Sequence, residues 1–545
     1  MKKRTAKKML AAVAVGAVAA TGACAADTGD DQDTFIFGVH GTPVTLDPVF
    51  TSEGETFRVT RQVFDTLLDH ESGGNEIGPG LAEEYDISED GLEWTFQLRE
   101  DVVFHDGAEL DAEVVCANYD RWFNFPEPYQ GLETTYYWNN LFGSFADRTD
   151  EAEGARDNYA GCEADGLQVT IELNEVSANY PGAFSMATFG IVSPDSLEQI
   201  DDTERENPDD PLPEYTQEVG VLAGTGPFEY SAWDHSSDEL TVERFDDYWG
   251  ETAGVEEIIF KAYTDETALK QALESGEIHG YDLVPPAHAI ELEEAGYQVP
   301  SRDVFNILYL AFQQDYEGLE DPEVREALSH AVDRQHIVDT ILPDGGEVAT
   351  QFMPSTMDAW SDEVRTFDHD PELAESMLAD AGHEDLTLEF CYPSDISRPY
   401  MPSVQDIFES IKSDLEAVGV NVEDRPEQWS DYIPASNTGE CPLYLLGWTG
   451  DFNEGYNYLG TWFDTYTDEF GMDNQDVFDK LAEVDNEPDP DARALLLQEA
   501  NVLIMDELPG LPISSSPPSI VFADNVNPPN ISELTQERFA EISFQ

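Results

Sequence analysis

The sequence predicts a mixed α/β protein built from two or three lobes, and three observations carry that prediction. The 545 residues amount to about 3.6 times a 150-residue domain, too many for one compact core. Strand-like runs of alternating polarity take turns along the chain with helical periods, the mark of mixed architecture. An apolar fraction of 41%, with aromatics at 11%, supplies core material throughout and argues for a folded chain.

The elements follow in order. Lys2 to Lys8 form a basic leader and Met9 to Ala20 an apolar stretch too short to span a bilayer but suited to a secretory signal over residues 1–23. Thr21-Gly22-Ala23-Cys24 resembles a bacterial lipobox, which makes Cys24 the lipidated mature N-terminus. Thr21 stands where that pattern carries Leu, so plain cleavage after Ala25 stays open. Residues 24–33 then read as the lipidated cysteine and a polar tether. Trp94, Phe96 and Leu98 alternate with polar residues as a half-buried strand, and His105-Asp106-Gly107 is a turn. Asp321 caps a helix with Pro322 at its first position and Val324, Leu328 and Val332 on one face. A second helix follows Asp370-Pro371, with Leu373, Met377 and Leu378 inward and Gly382 closing it. Ile407, Ile411 and Leu415 stripe a third that ends near Gly419. Proline- and acid-rich stretches at 201–213 and 486–491 read as surface connections.

Charge narrows the function classes. Lys and Arg total 25 against 115 Asp and Glu, a net charge of −90, and five of the cations lie in the first eight residues. Such a surface repels phosphate backbones, and no basic, aromatic-interleaved stripe counters that, so nucleic-acid binding is excluded. Acids this dense repel one another unless salt screens them, so a hypersaline setting is expected, with an acidic protein in ordinary medium as the alternative. Beyond Cys24 an even set of cysteines remains, Cys116, Cys162, Cys391 and Cys441, and an exported chain makes two bridges plausible among three connectivities. Neighbourhood favours Cys116 with Cys162. The complementary pair, Cys391 with Cys441, meets an objection: parallel neighbouring strands would hold thiols at the end of one and the start of the other apart. No metal-ligand spacing and no cofactor motif is present, so neither metal nor cofactor is expected.

Leu81 to Val115 (LAEEYDISEDGLEWTFQLREDVVFHDGAELDAEVV) resembles the signature of extracytoplasmic solute-binding proteins that serve peptide-importing ABC transporters, family 5, and Gly224-Thr225-Gly226-Pro227-Phe228, Asp247-Tyr248-Trp249-Gly250, Leu273 to Ile278 and the Asp321 to Arg334 helix follow in the family's order. The resemblance implies a periplasmic-binding-protein-like clamshell of two lobes with an additional smaller domain. On that pattern domain I comprises 34–68, 213–303 and 507–545, domain II 69–212 and domain III 304–506, with hinges near Pro213 and Val304.

Two segments resemble the dipeptide-binding members in particular: Ser397-Arg398-Pro399-Tyr400, and Gly447-Trp448-Thr449-Gly450-Asp451 at the end of an apolar strand. Both fall where open α/β sheets present ligands, beyond the carboxyl ends of strands. The resemblance implies that Arg398 grips a peptide's α-carboxylate and Asp451 its α-ammonium, chemistry that suits a planar guanidinium and an ionised acid. Main-chain atoms near Gly447 and Thr449 would meet the peptide strand-fashion, with Trp448 and Tyr400 as walls. After Asp451 the chain reads Phe452-Asn453-Glu454-Gly455-Tyr456-Asn457 where related proteins often carry Gly-Asp-Pro-Asp-Asn, which leaves pocket size open. The expected protein is a monomeric, membrane-anchored lipoprotein outside the cell that takes up short peptides for ABC permease subunits. Oligosaccharide, nickel or haem carriage on the same scaffold is the alternative. A secreted hydrolase is a weaker one, since no nucleophile motif is present and paired acids mean little among 115.

Overall fold

The structure, a computed structural model, describes residues 33–148, 157–203, 205–208, 210–263 and 265–545. The signal, Cys24 and the tether lie outside the described residues.

Three larger sheets organise the chain. The first has strands, in spatial order, Val521–Phe522, Gly280–Tyr281, Thr34–Val39, Glu257–Ala262, Glu239–Arg244 and Phe228–Asp234. Its central strand Thr34–Val39 runs parallel to both neighbours, so three distant parts of the sequence share one sheet. The second is an antiparallel four-stranded sheet of Ala82–Ile87, Glu93–Leu98, Gln168–Leu173 and Tyr159–Asp165. Trp94, Phe96 and Leu98 are buried on one face of it, as their alternation predicts.

The third sheet has the order Glu347–Val348, Gly510–Ser515, Asn306–Phe312, Leu443–Thr449, Thr387–Pro393 and Asn421–Glu427. Asn306–Phe312 reads NILYLAF and is buried at every position, the continuous apolar run of a strand covered on both faces. Gly510–Ser515 pairs antiparallel with it, so the third sheet continues past Asp506, the expected boundary, and the chain leaves it only after Ser515.

The helices behave locally as their caps dictate. Asp321 accepts a hydrogen bond from the Glu323 amide at the head of Pro322–Ala331, and Val324, Leu328 and Val332 are buried. In Pro371–Ala381 the inward residues are Ala374 and Leu378, while Leu373, expected inside, is 41% exposed. Leu373 lies about 100° around the helix from Ala374, off the Ala374–Leu378 stripe. Gly382 closes that helix at φ 81°. Ile407, Ile411 and Leu415 line the buried stripe of Val404–Ala417.

Both disulfides form, Cys116 with Cys162 and Cys391 with Cys441. The second corrects the objection raised from sequence. The strands Thr387–Pro393 and Leu443–Thr449 are indeed parallel neighbours, but they are staggered: Phe390 faces Leu443 and Cys391 faces Tyr444. The late part of one strand thus lies beside the beginning of the other, and the Cα atoms of Cys391 and Cys441 are 5.9 Å apart, within bridging range.

The signature residues prove to be packing devices. A Cβ on Gly224 would come within 2.2 Å of the Val63 carbonyl oxygen, and one on Gly226 within 2.7 Å of the Val63 carbonyl carbon, so this glycine pair lets the chain press on the end of helix Gly54–Val63. Beside it the Thr225 hydroxyl (2.8 Å) and the Trp249 indole N–H (2.7 Å) both donate to Asp65. A buried ionic chain ties helix Gly54–Val63 to later segments. Arg58 reaches Asp282 at 2.6 Å, and Arg302 reaches Asp282 at 2.7 Å and Glu537 at 2.8 Å, with Arg302 and Glu537 fully shielded from solvent. Burial alone would raise the Asp282 pKa, but the two guanidiniums outweigh it and hold the carboxyl well below the usual range.

Candidate functional site

The strand Leu443–Thr449 ends two residues before Asp451, and its parallel neighbour Thr387–Pro393 ends five before Arg398. Both sequence-predicted charges therefore lie beyond the same end of one sheet. The Thr387 strand pairs with its neighbour only at the Phe390–Leu443 and Cys391–Tyr444 positions. Beyond Tyr444 the edge of the Leu443 strand that faces it carries no ladder among the described residues, whereas the opposite edge is paired with Asn306–Phe312 throughout. An open strand edge beside two charges is a template for an extended chain.

The glycines of the Gly447–Asp451 segment exist for close approach. A Cβ on Gly447 would stand 2.1 Å from the Ile307 carbonyl oxygen and 2.6 Å from the Tyr400 ring. Tyr400, from the Arg398 loop, therefore lies directly on the strand, and the two family-like segments are in contact. A Cβ on Gly450 would meet Phe305 and Tyr458, and the Gly450 amide donates to the Tyr458 hydroxyl at 3.1 Å. The Thr449 hydroxyl is buried without a partner among the described residues.

Asp451 is held by two side chains, Tyr137 and Asn457. The Tyr137 hydroxyl donates to one carboxylate oxygen at 2.8 Å and the Asn457 amide to the other at 3.1 Å. The Asn457 side-chain oxygen in turn accepts from the Asp451 backbone N–H at 2.9 Å and from the Trp448 indole at 3.2 Å. Asn457 belongs to the run that departs from the family's usual sequence, so the departure still supplies a clamp for Asp451. Burial pushes the Asp451 carboxyl up to about 6, although the hydrogen bonds from Tyr137 and Asn457 and the Arg61 cation oppose it. Phe452, the next residue, is 1% exposed and packs so tightly on Gly182 that a Cβ there would fall 2.1 Å from its ring.

Arg398 pairs with no acid among the described residues, in a chain where carboxylates abound. Its guanidinium instead lies 4.2 Å over the Trp429 ring, and its Nε is buried without a partner. Leu283, Val284, Pro518 and Ser519, from near the edge of the first sheet, wall a small cavity of about 10 Å³ beside it. Sequence reasoning missed Tyr137, Tyr136 and Arg61. Arg61 lies over Phe57 at 5.4 Å with no hydrogen bond to an acid, and burial followed by the Arg58 charge lowers its pKa to about 10. Nothing local in the sequence marks these three, because each reaches the site through the chain's long-range path. Among the described residues no cluster of His, Cys, Asp and Glu is arranged to hold a metal, and no helix is long and apolar enough to cross a membrane.

Residues 76–470 match the family model described as "Bacterial extracellular solute-binding proteins, family 5 Middle", which covers well over half the chain. The chain belongs to the bacterial extracellular solute-binding proteins, family 5. Among curated relatives of this family 5 protein, the di/tripeptide-binding protein 3 of Pseudomonas aeruginosa (strain UCBPP-PA14) is 28% identical over 526 residues, covering 94% of this chain and 95% of the relative. Among solved structures, the dipeptide-binding protein from Pseudoalteromonas sp. SM9913 in complex with Met-Leu superposes with a TM-score of 0.80 at 21% identity, covering 94% of this chain and 100% of that one. The periplasmic binding protein DppA from Helicobacter pylori in complex with the peptide STSA gives 0.79 at 20%, covering 94% and 98%. The fold of this family 5 protein is accordingly the α/β two-lobed clamshell with an additional smaller domain that the sequence predicts.

Proposed function

We propose that this family 5 protein captures short peptides, dipeptides foremost, outside the cell and delivers them to the permease subunits of an ABC importer. The observation that carries the reading is the pair of charges beyond one sheet end, a cation without an acid partner at Arg398 and a buried, clamped carboxylate at Asp451. Arg398 takes the α-carboxylate through parallel N–H bonds while Trp429 backs its plane, and Asp451 takes the α-ammonium. The unpaired edge of residues 446–449 meets the peptide backbone, and Tyr400, Trp448, Thr449 and the close-packed Gly447 and Gly450 shape the wall. Relatives named for di- and tripeptides support this substrate class.

Fixing both termini selects for length, because a buried charge left unpaired costs about 3–5 kcal/mol. The domains follow the sheets: domain I from 34–68, 213–303 and the tail after residue 515, domain II from 69–212, and domain III from 304 to 515. Cys24 carries the lipid that keeps the monomeric protein at the membrane surface, and Cys24→Ala is expected to move it from the membrane fraction to the medium. The function itself is tested by titration calorimetry of Arg398→Ala and Asp451→Asn with a dipeptide. Each is expected to lose at least about tenfold in affinity, since stranding one buried charge exceeds about 1.4 kcal/mol. Affinity unchanged in both variants overturns the reading.

A further inference from the structure

A second acid faces the same cleft, and neither the family match nor the relatives assign it a role. Glu469 follows helix Tyr456–Phe463 and stays partly open to solvent, although Tyr309, Tyr444 and Phe470 beside it are fully buried. One of its carboxylate oxygens accepts from the Tyr444 hydroxyl at 3.1 Å. The other has no partner among the described residues, and no Lys, Arg or His reaches the group.

Its neighbours are hydroxyls and aromatic rings. Tyr309, Tyr444, Tyr432 and Tyr136 all lie near enough for its charge to raise their pKa values beyond what burial does. Tyr136 belongs to helix Tyr136–Leu141, across the cleft from the third sheet, and feels Asp451 first and Glu469 second. Glu469 and Asp451 therefore flank one tyrosine. Tyr309 pairs across the ladder with Leu446 and stands edge-on to Trp462, which in turn meets Trp448 of the proposed site at 6.1 Å. The Tyr309 hydroxyl is buried with no hydrogen-bond partner among the described residues. Around it Trp462 stands edge-on at 5.0 Å, Phe470 at 5.9 Å and Phe352 at 5.4 Å. A partly open, half-satisfied carboxylate among tyrosine hydroxyls and aromatic rings suits a long apolar stem that ends in a cation.

We propose that Glu469 and Tyr309 form a side-chain subsite that makes the preferred ligand a short peptide bearing a basic side chain. The inference rests on the peptide-binding reading and deepens it. Burial pushes the Glu469 carboxyl up to about 7, against the Tyr444 hydrogen bond, and a nearby cation would hold this acid ionised. A lysine or arginine side chain supplies it where water is largely excluded and salt screens poorly.

Calorimetry in multimolar salt tests this with Lys-Ala and Ala-Lys against Nle-Ala and Ala-Nle, norleucine offering the same four-carbon stem without the ammonium. In the wild type one lysine peptide is expected to bind at least tenfold more tightly than its norleucine counterpart. Glu469→Gln keeps an acceptor for Tyr444 and is expected to remove that preference while leaving the norleucine peptides within about twofold of wild type, a result that also reports intact folding. Equal affinity for lysine and norleucine peptides in the wild type overturns the subsite and leaves peptide binding standing. Equal weakening of both by Glu469→Gln assigns the residue a purely structural role and overturns it too. Binding of none of the four overturns the subsite together with the peptide reading.

Discussion

A carboxylate holds an ammonium only when it is ionised, and burial pushes the Asp451 carboxyl up to about 6 against its hydrogen bonds from Tyr137 and Asn457. Affinity for a peptide with neutral side chains should therefore fall about tenfold between pH 7 and pH 5, as the ionised fraction drops from about nine-tenths to one-tenth. Asp451→Asn should bind weakly with a flat profile, and calorimetry at five pH values checks both. The same raised pKa works against folding: ionising the acid costs stability as pH rises from the ordinary carboxylate range through about 6. Gly447→Ala should cost about 1–3 kcal/mol, because the new methyl meets a fixed carbonyl and the Tyr400 ring, and urea unfolding reads that directly. The placement of Arg398 and Asp451 beyond one sheet end was legible from sequence because each sits in a short contiguous motif after a strand. The contact of Tyr137 with Asp451 was not, since it depends on how distant segments fold back across the cleft.

At the scale of elements, caps and stripes were legible because they are local. Asp321 with Pro322 and the Ile407–Leu415 stripe need only neighbouring residues to be read. Leu373 was misread because helical spacing alone does not say which of two adjacent stripes faces the neighbour, and the Cys391–Cys441 bridge depended on a strand stagger that no spacing reveals. The ionic chain Arg58–Asp282–Arg302–Glu537 was equally invisible, being assembled from four separate segments. Asp282→Asn leaves two buried guanidiniums short of their shared acid and should cost about 3–5 kcal/mol in denaturant melts. Because the Asp282 pKa is depressed, the stability it contributes is complete above the ordinary carboxylate range and is lost as pH falls below it. Gly182 allows Phe452 to dock across the cleft, next to the clamp on Asp451. Gly182→Ala should hold the lobes apart and weaken peptide binding in proportion to the fraction of molecules it keeps from closing.

At the scale of the whole molecule, 115 acids against 25 cations repel one another over long range in dilute buffer. Screening shortens to about 3 Å near 1 M salt, so the melting temperature is expected to climb steeply from low to multimolar potassium chloride. A flat profile would detach the acidity from any saline habitat. The family and its clamshell were legible because ordered motifs span most of the chain, whereas the lobe contacts that complete the site appear only in three dimensions. Contacts from both sides of the cleft, Tyr137 on Asp451 and Phe452 on Gly182, imply that ligand gains all its partners only with the lobes together. The central claim is that a peptide is gripped by both of its charged ends between Arg398 and Asp451. It is tested most directly by calorimetry of one dipeptide in three forms, free, N-acetylated and C-amidated, at salt high enough to keep the protein folded. The account predicts that each blocked form loses at least about tenfold in affinity; equal affinity for all three would contradict it.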